Sequence, residues 1–120
     1  MQNGANIILT DISKKQLSLT KKKLQTKYSK SKIFTSLMDV TNLTSIKKTQ
    51  KDFKRKSIRI DILINNASLN PKFENKKMQN FSSLENFTTD QWNIDLNVGL
   101  MGAFLCTQVF GSSMSKDELG

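Results

Sequence analysis

The 120-residue sequence has no histidine, one cysteine, one proline, one tyrosine and two arginines. Without histidine, a His-based catalytic triad and a His/Cys zinc cluster are excluded within the chain. The single Cys106 cannot close an internal disulfide, which fits a reducing, cytoplasmic setting. No basic-then-apolar leader opens the chain. Its longest apolar run, residues 98–106, falls short of the ~20 residues that a membrane-spanning helix needs, so no membrane is expected. At this length the chain forms one domain at most, residues 1–120.

Acidic residues are also scarce, and unevenly so. Residues 1–60 carry 15 Lys/Arg against 3 Asp/Glu, a balance of +12; residues 61–120 carry 4 against 7, or −3. The lysines gather in two segments of helical periodicity, around Lys21-Lys22-Lys23 and from Lys47 to Lys56. Aromatic residues are not interleaved there and arginine is rare. These are solvated helix faces rather than a nucleic-acid surface.

What is present is an alternation of short apolar blocks and longer amphipathic ones. Residues 6–10 (Asn-Ile-Ile-Leu-Thr) read as a buried strand ending at Asp11. Ser13 with Gln16 makes a capping box that opens a helix reaching about Tyr28, with Leu17, Leu24 and Tyr28 at helical spacing. Residues 32–38 give a second strand, closing at Asp39-Val40. Thr41 to Thr44 starts a second helix, carried by Leu43, Ile46 and Phe53 to about Arg55. Ile60-Asp61-Ile62-Leu63-Ile64 is a third strand, apolar enough to be buried on both faces as in a parallel sheet. The expected fold class is therefore α/β with parallel pairing.

Ligands of such sheets lie beyond the carboxyl ends of the strands. Asn65 and Asn66 fall at that edge, and Ala67 and Ser68 are small enough to let a ligand approach the backbone. The alternative is a strand closed by a turn, which asparagine also favours. Residues 69–86 lack a pattern, with Phe73, Met78, Phe81 and Leu84 as anchors in a long loop; a covering role and plain irregularity both fit. Thr88 with Gln91 makes a second capping box before a helix reaching about Met114. Trp92, Leu96, Leu100 and Phe104 form one stripe of it; Gly99, Gly102, Ala103 and Cys106 form another. A small-residue face costs helix propensity, so something packs closely there: a sheet, a partner helix or a cofactor.

Asp11, Asp39-Val40, Asn65-Asn66-Ala67 and Trp92 leading into a Gly-containing helix follow the order and spacing of the short-chain dehydrogenase/reductases. The resemblance covers the whole chain. It implies a partial Rossmann-like, doubly wound parallel sheet of three strands and three helices. It also implies an NAD(P)-dependent oxidoreductase that interconverts an alcohol and a carbonyl. Asp11, with Ile12 beside it, resembles the group that accepts from the adenosine ribose, and its charge favours NAD over NADP by repelling a 2′-phosphate. Lys14 and Lys15 soften that preference. Asp39 and Val40 resemble the adenine-contacting pair; Asn65, Asn66, Ala67 and Ser68 resemble the wall beside the ribose. The family usually has glycine where Ser68 stands. The wording of residues 98–104 resembles a branch near surface-glycan biosynthesis, which implies a sugar-related substrate.

Other family parts are missing from these 120 residues. The Gly-rich turn that holds the pyrophosphate is absent, as are the catalytic serine and the Tyr-x-x-x-Lys pair, so no catalytic residue is assigned and the chain is expected to be inactive alone. Tyr28 lies on the wrong helix. The family's asparagine in the Gly-containing helix aligns with Gly99; Asn97 lies about 200° around an α-helix from it and is not given that role. Without the family's first strand, residues 6–10 and 61–65 would flank a gap. Either they pair directly or the chain belongs to a longer polypeptide of marginal stability as a fragment. The second is expected, with a homo-oligomer through helix 89–115 in the longer form. The competing function is a non-catalytic α/β module with a basic surface.

Overall fold

The computed structural model describes residues 5–69 and 84–117. It contains a two-stranded parallel sheet, β1 (Ile7–Asp11) with β2 (Ile33–Leu37). Helix α1 (Lys14–Lys27) crosses between them, and α2 (Leu43–Arg55) follows β2. A 3-10 turn at Leu84–Asn86 precedes α3, the continuous helical run Thr89–Ser115. By contacts the chain divides into two compact units, residues 1–39 with 44–59, and residues 40–43 with 60–120.

In the first unit, Ile7 stands opposite Ile33 and Asp11 opposite Leu37. The capping reading of α1 holds: Ser13 Oγ accepts from the Gln16 N–H at 3.3 Å, satisfying one of the orphan amides of the first turn. Leu17 is the buried residue of α1, and its lysines occupy the solvent side. Helix α2 buries Ile46, Thr49 and Phe53, one stripe at i, i+3 and i+7. Thr49 lies 3.5 Å, oxygen to oxygen, from Ser36 of β2, which satisfies the one buried hydroxyl among the described residues. The end of α2 is a Schellman cap. Ile58 N–H donates to Phe53 O, Ser57 N–H donates to Lys54 O, and Ser57 takes a positive φ of 51°.

Two expectations about strands change. Residues 6–10 were expected to be buried, yet Ile7, Ile8 and Leu9 are half-buried, because β1 has a single ladder neighbour among the described residues. The third strand is not formed. Residues 60–64 belong to no ladder, and Ile62 and Ile64 are 78% and 79% exposed. A strand exists through hydrogen bonds to its neighbours, and composition alone does not supply them. The alternative of direct pairing between residues 6–10 and 61–65 is likewise not realised.

In the second unit, Thr88 caps α3 through its Oγ1, which accepts from the Gln91 N–H at 3.2 Å. Phe87 just before the cap meets Trp92 edge to face, with centroids 6.4 Å apart, a hydrophobic staple that fixes how the chain enters the helix. Leu84, expected as an anchor, is 88% exposed; the other three anchors lie outside the described residues. Helix α3 is not uniform. Its backbone loosens into π turns at Asn97–Met101 and Thr107–Gly111. Its buried side is Gly102, Cys106, Val109 and Phe110. By length and composition α3 is long and apolar enough to cross a membrane, although no uninterrupted apolar run in it is; its acids, Asp90 and Asp95, lie near its start, and beyond them only uncharged polar residues interrupt the apolar ones, which the run-length criterion misses.

Gly102 shows what the small-residue face is for. A Cβ built there would stand 2.8 Å from Val40 Cγ2 and 3.1 Å from Val40 Cβ, whereas one at Gly99 would meet nothing within 4 Å. Alanine at either position gains up to about 1 kcal/mol of helix propensity. Only Gly102→Ala adds a clash with a branched side chain, which costs about 1–3 kcal/mol. Thermal melts are expected to rank Gly99→Ala above the natural chain and Gly102→Ala below Gly99→Ala by that clash; equal melting of the two variants would show that Val40 does not press on the helix.

Candidate functional site

Parallel strands put their carboxyl ends on one edge, so the register of β1 and β2 brings Asp11 and Asp39 to the same rim of the first unit. Asp11 ends β1, and Asp39 stands two residues beyond the end of β2. The Asp11 Oδ1 accepts from the Ser13 N–H at 2.7 Å, a local turn that feeds directly into the α1 cap. The carboxylate is thereby fixed in direction while remaining exposed, and an ionised carboxylate has acceptor sites beyond the one used. Ile12, next to it, is 74% exposed. It occupies the position of a hydrophobic staple with Leu17 but does not close one, leaving an apolar surface beside the acid. Asp39 is half-buried, and its N–H donates to Ser45 Oγ at 3.0 Å, tying the turn after β2 to α2.

The remaining candidates belong to the second unit, where α3 organises two of them. Val40 packs on Gly102. Asn65 Nδ2 donates to Thr107 Oγ1 at 3.1 Å. Thr107 opens the second π turn, five residues on from Gly102. Asn66, Ala67 and Ser68 are exposed, in irregular backbone. The structure thus joins Asp11 with Ile12 and Asp39 on one rim, and holds Val40 and Asn65 against one helix.

Sequence reasoning missed one side chain. Thr107, which orients Asn65, carries no motif; its only signal was lying one position after Cys106 of the small-residue face. Asn97 was set aside by counting 100° per residue. The N–H of Gly102 donates to Asn97 O across five residues, yet Asn97 and Gly102 keep α-region dihedrals, and a π turn also sets residues two apart on opposite sides, so Asn97 stays away from the Gly99 face. Asn97 also borders a shallow apolar depression with Asn93, Ile94, Leu96, Leu100 and Met101. Among the described residues, all six that line it come from α3. Cys106 is buried, and that burial pushes its thiol pKa up, away from the reactive thiolate.

These features match known proteins throughout the chain. A family model for short chain dehydrogenases matches residues 1–120. The chain is 31% identical over 120 residues to the 3-oxoacyl-acyl-carrier-protein reductase of Thermotoga maritima, covering 99% of this chain and 44% of that one. It therefore spans less than half the length of this relative. The NADPH-bound short-chain oxidoreductase of Pseudomonas aeruginosa with an atypical catalytic center superposes with a TM-score of 0.77 at 16% identity, covering 96% of this chain and 41% of that one. An NAD-bound structure assigned as a D-mannonate oxidoreductase from Haemophilus influenza gives 0.73 at 24%, covering 92% and 42%. The fold is shared with both, while their two cofactors differ. By its family match, the chain belongs to the short-chain dehydrogenases.

Proposed function

We propose that this chain supplies the adenosine-binding part of an NAD(P)-dependent oxidoreductase that interconverts an alcohol and a carbonyl, with a sugar-related substrate. One observation carries the reading: Asp11, exposed at the carboxyl end of β1, has its carboxylate aimed by the Ser13 N–H, with the exposed Ile12 beside it. A ribose diol needs an oriented acceptor, and an adenine ring needs apolar surface next to it. The family resemblance assigns Asp39 and Val40 to the adenine, and Asn65, Asn66, Ala67 and Ser68 to the ribose. The single negative charge of Asp11 supports NAD over NADP; Lys14 and Lys15 work against it. The dinucleotide supplies the hydride.

The acid, base and pyrophosphate contacts are assigned to sequence outside these 120 residues. With no Gly-rich turn, residues 1–120 are expected to hold NADH only at millimolar concentration and to turn over no substrate. Expressed with its flanking coding sequence, the protein is expected to bind NADH in the micromolar range and to oxidise an alcohol. Titration by NADH fluorescence measures both; micromolar binding by residues 1–120 alone, or none by the longer protein, would overturn the assignment. Homo-oligomerisation through α3 in the longer protein, a cytoplasmic location and the absence of nucleic-acid and membrane partners go with this reading. The non-catalytic alternative draws on the exposed stripe of Trp92, Leu96, Leu100 and Phe104, which suits assembly.

A further inference from the structure

Within the second unit, helix α3 holds two candidate residues by contacts of different kinds. At Gly102 the bare backbone lets Val40 Cγ2 come to 2.8 Å from where a Cβ would stand, which seats the helix closely. At Thr107, about 7.5 Å further along the axis, the hydroxyl oxygen accepts from Asn65 Nδ2 at 3.1 Å. The two residues of that bond are 42 apart in sequence, so it is a long-range tie and not a product of local chain direction.

The shape of Thr107 gives this tie a direction. A threonine side chain is stiff at χ1. Its methyl lies toward Gly111, 3.7 Å from where a Cβ there would stand, and the hydroxyl is the other branch. On the far side of the bond, an asparagine amide carries an acceptor oxygen and two N–H donors on its nitrogen. With the nitrogen held on Thr107, the amide oxygen is turned away from that hydroxyl.

We propose that Thr107 is a positioning residue for the dinucleotide. By holding the Asn65 nitrogen, it presents the Asn65 oxygen to a hydroxyl of the adenosine ribose, which donates to it. The proposal rests on the adenosine reading above, which assigns Asn65 to the ribose. Asn65 lies in irregular backbone, where an untied amide samples both orientations and several rotamers. Ordering such a side chain only when the ligand arrives costs affinity. Thr107 touches no ligand and takes no part in the hydride step, so its contribution is to affinity and not to turnover.

The test uses the protein expressed with its flanking coding sequence. Thr107→Val keeps the branched shape and removes the acceptor; it is expected to raise the dissociation constant for NADH about tenfold. The KM for the dinucleotide rises with it, while kcat at saturating dinucleotide stays unchanged. Thr107→Ser, which keeps the hydroxyl, is expected to bind NADH within about threefold of the natural protein. With Asn65→Ala as background, Thr107→Val is expected to cause no further loss, because the group it positions is gone. That background keeps the answer readable even if valine loosens α3, since an effect on the fold would persist there. Natural NADH affinity in Thr107→Val overturns the proposal and leaves the adenosine reading standing. So does an undiminished further loss in the Asn65→Ala background, or a fall in kcat that Thr107→Ser shares. If the natural longer protein binds no NADH, the adenosine reading itself falls, and this proposal with it.

Discussion

Phe53→Ala is expected to lower the stability of the chain by about 3–5 kcal/mol. Phe53 is 4% exposed and lies on the same α2 stripe as Ile46, which is fully buried. Removing the ring deletes a large apolar transfer term, and the cavity left behind adds to it because neighbours relax only partly. A second effect is local. The Phe53 carbonyl receives the Ile58 N–H in the cap, and the usual companion of that motif is an apolar contact between those two residues. Alanine keeps the hydrogen bond and loses the contact, so the turn at Ser57, already held at positive φ, loses support. Small domains have about 5–15 kcal/mol in total, and a two-stranded sheet stands toward the lower end. Urea unfolding followed by helical circular dichroism gives the measurement, with Phe53→Leu as a milder control. A loss below about 1 kcal/mol would mean that α2 is not a principal source of the chain's stability.

What could be read from the sequence was what is decided locally. Ser13 and Thr88 announced their helices because a capping hydroxyl acts within three residues. The stripe of Ile46 and Phe53 announced its buried side because the helical period is fixed by the backbone. The two strands and the placement of Asp11 and Asp39 at one rim followed from parallel pairing. What could not be read depends on distant partners. Residues 60–64 have strand composition, yet a ladder is a property of pairs and none is made. The exposure of Leu84 was likewise invisible, since an apolar side chain buries only where another surface meets it. The π turns were missed for another reason: a heptad-like count assumes a uniform backbone, and nothing in Leu-Asn-Val-Gly marks the wider turn at Asn97. Gly102 is an intermediate case. Its smallness signalled close packing, but only coordinates identify Val40 as what it accommodates.

Asp11→Asn, in the protein expressed with its flanking coding sequence, is expected to weaken NAD binding about tenfold to a hundredfold while changing NADP binding much less. The substitution is chosen for what it preserves. An asparagine Oδ1 can still accept from the Ser13 N–H, so the turn and the α1 cap survive, and Ser13 remains placed for Gln16. What goes is the negative charge. Hydrogen bonds from ribose hydroxyls to a carboxylate are worth about 1.5–3 kcal/mol, against about 0.5–1.5 kcal/mol for a neutral acceptor. Two such bonds account for the expected loss. For NADP the sign reverses: the carboxylate repels the 2′-phosphate, and its removal leaves Lys14 and Lys15, both exposed in the first turn of α1, to attract that phosphate without opposition. Preference for NAD over NADP should therefore collapse rather than merely fall in step with affinity. Dissociation constants for both dinucleotides, with circular dichroism to confirm an unchanged helix, decide the matter. Equal weakening of the two would show that Asp11 acts through the fold and not through the ribose, and the adenosine assignment of this rim would fall with it.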